Sequence, residues 1–531
     1  MSPSLIRFTK LFAAAGLPLG LSLAAQTTPV PNPAAAATQG VSSDQTAGQP
    51  GYRLNLNARI VVLDVVVTDK HGNLVHRNDL TKDDFTIYES KVPQAIRSFE
   101  RPSQHAMPVS DQPIVNSAAD LAKIGDAPVT LMVLDELNSR FEDMSFSRQM
   151  MVKYLEAQPA VLPQPTVLLI ATNTKFVQVH DYTQNRDELI DIVKKHMPEF
   201  PWRMENGGGT VERMAQVLAA LQQLAQASSG TPGRKNVIWV GNGFPTADLV
   251  GMEIHQADLI TAAVRAVTAK LLAARITMYT INPVANSTAT IDVETPDDMH
   301  MASSDIGPVP FGEGTVNFAD LGPSTGGMAF QGRNDLNHAI AEGIAHGNEY
   351  YTMSYVPTDK SDDAAKFRNI VVTMKDPTLR ATTRNGYFPE TAADMNPLLD
   401  KTIPVKQKGR DIQLDLSQAL TTTISYNGLE VKAAKTKDGS YTVHVGEKGL
   451  TWSEPDAAGT EHAEATVAAA WYDQKGKIIG HVASEQTYVR GANGTGAVFT
   501  VVPGSVPATA VRMRVVIRDA LSGRMGTFDQ K

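Results

Sequence analysis

The chain has 531 residues, which at about 150 per domain is three or four domains and more than one hydrophobic core can hold. Lys and Arg number 48 against 56 Asp and Glu, a formal charge of −8 with no local basic block, which disfavours a general nucleic-acid binder. The 42% apolar and 20% charged content suits packed globular modules, and the lack of cysteine removes disulfides, thiolate nucleophiles, thiolate zinc sites and iron–sulfur clusters.

Arg7 and Lys10 precede an apolar stretch from Leu11 to Leu23, and Ser22 and Ala24 hold the small-residue positions before a cut, so residues 1–25 read as a secretory signal. The stretch is shorter than the ~20 apolar residues of a membrane span, and Gly16, Pro18 and Gly20 interrupt it. No later segment is long enough to cross a bilayer, so the mature product is expected in the periplasm or outside the cell. Residues 26–52 are rich in Ala, Pro, Thr and Gln, bury too little to offset ordering entropy, and read as a disordered linker.

Runs of β-branched and aromatic residues at 59–68, 85–89 and 95–99, with a turn signal at 70–73, predict a small β-domain over 53–105. Residues 106–127 lose periodicity and read as a linker. From 128 onward, short apolar strands at 129–134, 166–171, 236–240 and 276–281 alternate with amphipathic helices at 144–157, 185–196, 211–227 and 254–274. Apolar strands separated by helices predict a doubly wound, mostly parallel α/β sheet covered on both faces, over 128–390. A Gly-, Pro- and Asp-rich insertion fills 283–326, followed by a helix at 335–346 and strands at 349–355, 367–373 and 379–383. After a linker over 391–410, short strands with Gly-containing turns predict a β-sandwich over 411–531.

In a doubly wound sheet ligands bind at the carboxyl ends of the strands, so residues just after each apolar run carry the information. The first strand ends in DELNS, from Asp135 to Ser139; Gly207 to Gly209 and Thr210 stand before the 211–227 helix; the 236–240 strand ends in Gly241, Asn242 and Gly243. A carboxylate, two hydroxyls and an amide from separate segments would there offer oxygen ligands, which favour Mg²⁺ over Zn²⁺.

That order resembles the von Willebrand factor type A domain and its metal-ion-dependent adhesion site. Asp135 and Ser139 match the ends of its D-x-S-x-S motif, Thr210 matches its threonine, and Asn242 stands where the aspartate of T-D-G belongs. Leu137 replaces the middle serine. The resemblance therefore implies a Rossmann-like sheet with a degenerate site of Asp135, Ser139, Thr210 and Asn242, binding Mg²⁺, Mn²⁺ or Ca²⁺ weakly or not at all. Thr68 to Gly72 with Asp79 to Glu89, the 349–355 strand, Asn385 to Phe388 and Arg518 with Asp519 resemble the VWFA-related proteins abundant in Acidobacteria. Such a likeness implies an exported, non-enzymatic adhesion protein that meets a protein partner at the sheet edge.

The alternatives are a secreted serine hydrolase using Ser324 in the G-x-S-x-G run 322–326, with His338 or His346 as base, and a structural part of an envelope assembly. A nucleophile elbow needs a strand before the serine and a helix after it, and neither is visible in the pattern. His338, Glu342 and His346 share a helix face, where solvation is the commoner explanation than metal binding. Tyr350, Tyr351 and Tyr355 read as packing residues of a sheet.

Overall fold

The computed structural model describes residues 60–172, 176–197, 210–283, 314–359, 366–389, 405–437, 441–491, 498–502 and 506–530. The expected signal, the 26–52 linker, Gly207 to Gly209 and most of the 283–326 insertion lie outside the described residues. Of those described, 60–389 and 422–425 belong to one unit, and 405–421 and 426–530 to a second.

Val129–Asp135 is buried at all seven positions, the signature of a strand covered on both faces. It lies inside a six-stranded sheet ordered Met328–Phe330, Ile276–Ile281, Lys235–Val240, Val129–Asp135, Val161–Ala171, Phe176–Asn185. Every pairing is parallel except that of the last strand. The chain order therefore reverses between Val129–Asp135 and Lys235–Val240, which makes that junction the topological switch point. Helices Phe141–Glu156, Arg186–Lys195 and Leu336–Asn348 bury Met151, Leu155, Leu189 and Ile340 against Met132, Leu134, Ile170, Ile238 and Ile281. Alternation turns the equally buried Leu131, Val133, Val237 and Met278 to the opposite face. Helix Ile254–Ala273 packs there on Ile276–Ile281, and helix Thr210–Ala227 packs on that helix.

Local signals match these elements closely. Asn185 caps Arg186–Lys195 by accepting the N–H groups of Asp187 and Glu188, while Lys194 and Lys195 sit in the last turn, where the helix dipole favours cations. The strand Phe176–Asn185 has no counterpart in the sequence pattern, because Gln178, His180, Asp181 and Gln184 make it polar. Its edge is closed by hydroxyls from another segment: Thr422 Oγ1 donates to the Phe176 carbonyl and Thr423 Oγ1 to that of Gln178.

Two four-stranded antiparallel sheets complete the first unit, ordered Leu379–Thr382, Val61–Asp69, Tyr351–Tyr355, Ile96–Glu100 and Gly386–Tyr387, Arg368–Met374, Phe85–Glu89, Val92–Gln94. The strands after 350, expected with the parallel layer, instead pair with the N-terminal ones in the registers Val61↔Tyr355, Val66↔Thr382 and Ile370↔Glu89. The reason is side-chain chemistry. Tyr351 packs its ring 5.4 Å from Phe85 and 5.7 Å from Phe99, within a core shared by Leu63, Val65, Ile87, Met353 and Val372. Glu89 is buried there, held by Arg368 at 3.0 Å and by the hydroxyls of Tyr355 and Tyr387.

In the second unit, sheets Val431–Lys435, Tyr441–Val445, Val498–Val502 and Ile478–Arg490, Glu461–Tyr472, Arg512–Asp519, Met525–Gln530 are antiparallel and share one core of Val443, Val445, Val467, Ala469, Val515 and Ile517. One element departs from the expected linker and all-strand pattern: Val405–Thr421 is a helix. Leu416, Ala419 and Leu420 lie three and four residues apart and are buried on one face, and Asp415 pairs with Arg518 at 3.0 Å. Among the described residues no helix is long and apolar enough to cross a membrane.

Candidate functional site

Asp135 closes its strand at the switch point and is fully buried. Its Oδ1 accepts the backbone N–H groups of Leu137 at 2.9 Å and Asn138 at 3.1 Å. Oδ2 accepts that of Gly243 at 2.7 Å and the Trp239 indole N–H at 3.2 Å. A carboxylate has about four lone-pair positions, so the chain's own donors saturate it. Burial pushes its carboxyl up to about 6, against the pull of those hydrogen bonds.

The turn after Lys235–Val240 is shaped around that side chain. Gly241 has φ +146°, and a Cβ there would stand 2.2 Å from the Asp135 Cβ, so only glycine fits. Gly243, at φ +67°, would drive a Cβ to 2.1 Å from the Phe318 ring. Ser139 is buried and its Oγ accepts the Asn242 N–H at 3.3 Å, while Asn242 Nδ2 donates to the Asn138 carbonyl at 3.1 Å. The structure thus brings together Asp135, Ser139 and Asn242. Thr210 opens its helix, and its side chain lies outside what is described. Leu137 is buried and supplies only its backbone N–H.

These residues fit a hard cation poorly. An ion on Asp135 would have to displace Trp239 or the backbone, and the remaining oxygens are neutral. Asn138 Oδ1, Asn242 Oδ1 and Thr280 Oγ1 are buried without a hydrogen-bond partner among the described residues. Asn242 and Thr280 line a small cleft of ≈ 20 Å³, room for about one water, together with Asn282, Asn317, Phe318 and Gln331. Its walls are amides, a hydroxyl and an aromatic ring, which suits neutral hydrogen-bonding groups.

Next to Asp135, Glu136 is buried and meets His196 Nε2 at 2.7 Å, a pair that no motif marks. The acidic doublet at the strand end is its only signal. The other proposed residues are placed by packing. Ser324 lies inside the short helix Leu321–Thr325, not at a strand-to-helix elbow. The neighbouring glycines answer to close contacts: a Cβ on Gly322 would meet the Met328 carbonyl at 2.6 Å, and Gly326 caps the helix at φ +86°. His338 is exposed, Glu342 pairs with Arg333 at 2.9 Å, and His346 is buried, which lowers its pKa. Asp519 is a buried anchor for Thr451 and Ser522. Compared with known proteins, the chain matches no family model and no curated protein.

Proposed function

We propose that this chain is an exported, non-enzymatic protein-interaction protein whose parallel layer is a von Willebrand factor type A domain with a degenerate adhesion site, accompanied by a small β-domain and a β-sandwich. The partner, a protein, docks at the switch-point edge built from residues 135–139 and 241–243. The observation that carries the reading is the junction of these two strand ends, where Gly243 and Trp239 are tied to Asp135 and Asn242 to Ser139. With its carboxylate satisfied internally, the edge is held in shape by donors instead of by Mg²⁺, Mn²⁺ or Ca²⁺, and the neutral cleft beside it offers the polar contacts.

Crosslinking and pull-down with residues 26–531, in Mg²⁺ and in EDTA, test this. The same partner is expected in both, and Gln331→Arg at the exposed rim of the cleft should lose it. Recovery unchanged by Gln331→Arg would refute the docking edge. Recovery that vanishes with EDTA would refute the cation-free reading.

A further inference from the structure

Three side chains from separate segments meet at the amino-terminal approach to the parallel sheet. Glu100 ends the strand Ile96–Glu100, His105 ends the 3₁₀ turn Pro102–His105, and Asp126 stands between the 3₁₀ helix Ala118–Ile124 and the strand Val129–Asp135. One ligand atom from each lies within 4.8 Å of the others, and this is the sole such trio among the described residues. The His105 side chain is 1% exposed, with its ring stacked on Tyr350 at 4.8 Å and 12°. Its two nitrogens are used differently. Nδ1 lies 3.1 Å from Asp126 Oδ2, a hydrogen bond, whereas Nε2 is buried without a hydrogen-bond partner among the described residues and faces Glu100 Oε2 across 3.5 Å.

That separation is long for a hydrogen bond. Two ligands held at about 2.0–2.1 Å from one tetrahedral ion stand roughly 3.4 Å apart. We propose that His105 Nε2 and the Glu100 carboxylate bind a divalent transition-metal ion of the Zn²⁺ class, with Asp126 accepting the Nδ1–H and fixing the tautomer. A ligating histidine whose other nitrogen donates to a carboxylate is the common arrangement, and an imidazole with a carboxylate selects borderline ions over Mg²⁺. Glu100 and Asp126 are 42% and 47% exposed, so water completes the coordination from the open side. Arg275, whose charge reaches Asp126, gives hydrogen bonds to Asp64 and Thr352. The ion would clip the last residues of an antiparallel strand to the start of the parallel layer. Asp135 closes the far end of the strand that Asp126 precedes, about 30 Å along the chain, so the two sites are separable.

The test is titration of EDTA-stripped residues 26–531 with Zn²⁺ against a fluorescent chelator, with Co²⁺ as spectroscopic probe. Uptake of one equivalent, a rise in Tm and intense visible Co²⁺ absorption of low coordination number support the site. Glu100→Gln, at a half-exposed position that leaves the core intact, and His105→Gln should abolish uptake. Asp126→Asn should weaken it about 10- to 100-fold, and Asp135→Asn should leave it unchanged. No stoichiometric uptake by the natural chain, or equal affinity in Glu100→Gln and His105→Gln, overturns the proposal.

Discussion

Asp135 sets two opposing effects against each other. Four donors stabilise its ionised form, and complete burial penalises that form. Burial prevails, raising the carboxyl from the ordinary 3.8 to about 6. At about 1.4 kcal/mol for each tenfold change in proton affinity, the ionised group costs the folded state about 3 kcal/mol. Because the folded value lies above the unfolded one, the stability held by the protonated group is fully present below pH 3.8 and is lost as the pH rises through 6, where the cost of the ionised form appears.

Asp135→Asn removes that titration while keeping the shape. Exposed carboxylates such as Asp69, Asp79 and Asp84 have lowered values and respond in the opposite direction, but they are common to both proteins and cancel in the difference. Urea unfolding of both proteins between pH 4 and 7, followed by tryptophan fluorescence, should show the natural chain losing about 2 kcal/mol relative to the variant, most of the full span. A difference that stays flat, or that grows in favour of the natural chain as the pH rises, would mean that the four donors outweigh burial, and the reasoning would fail.

Gly241→Ala forces a Cβ to 2.2 Å from that of Asp135 at φ +146°, and should lower stability by about 3 kcal/mol or more in thermal denaturation. Arg368→Met leaves Glu89 buried without its cation, an expected loss of about 3–5 kcal/mol by urea unfolding. Lys235 is buried and pushed down to about 7, so the folded state favours its neutral form. Stability should therefore rise with pH between 7 and 10.5, and Lys235→Met should flatten that rise in denaturation curves.

The parallel layer was legible because its strands carry continuous apolar runs and helix Arg186–Lys195 carries a side-chain cap. Val129–Asp135 and Ile276–Ile281 could be read residue by residue, and Asn185 announced the helix that follows it. Non-local pairings were not legible. The register Val61↔Tyr355 joins segments almost 300 positions apart, and no period in either strand names its partner. Helix Val405–Thr421 was hidden because Gly409 and a run of charged residues dilute the apolar spacing that Leu416 and Leu420 complete. At the candidate site, the strand-end rule singled out Asp135, Ser139 and Asn242. The donors that fill Asp135 are the backbone N–H groups of Leu137, Asn138 and Gly243 with the Trp239 indole, and a backbone N–H has no sequence signature.

Topology favours the proposal that a partner docks at the carboxyl edge. The chain enters the parallel layer from Ile96–Glu100 and leaves it into Tyr351–Tyr355, and those two strands are hydrogen-bonded neighbours in the register Thr352↔Glu100. Both connections therefore leave from one side. Arg275, one residue before Ile276–Ile281, reaches Asp64 of the antiparallel sheet at 2.7 Å, which puts that side at the amino ends of the parallel strands. The carboxyl ends lie a strand length away, about 20 Å for six residues. Asp135, Asn138 and Gly241 to Gly243 are thus carried on the end of the layer opposite its anchorage. A contact made there would load the layer against two adjacent strands and a partly buried ion pair, which suits the proposed docking edge.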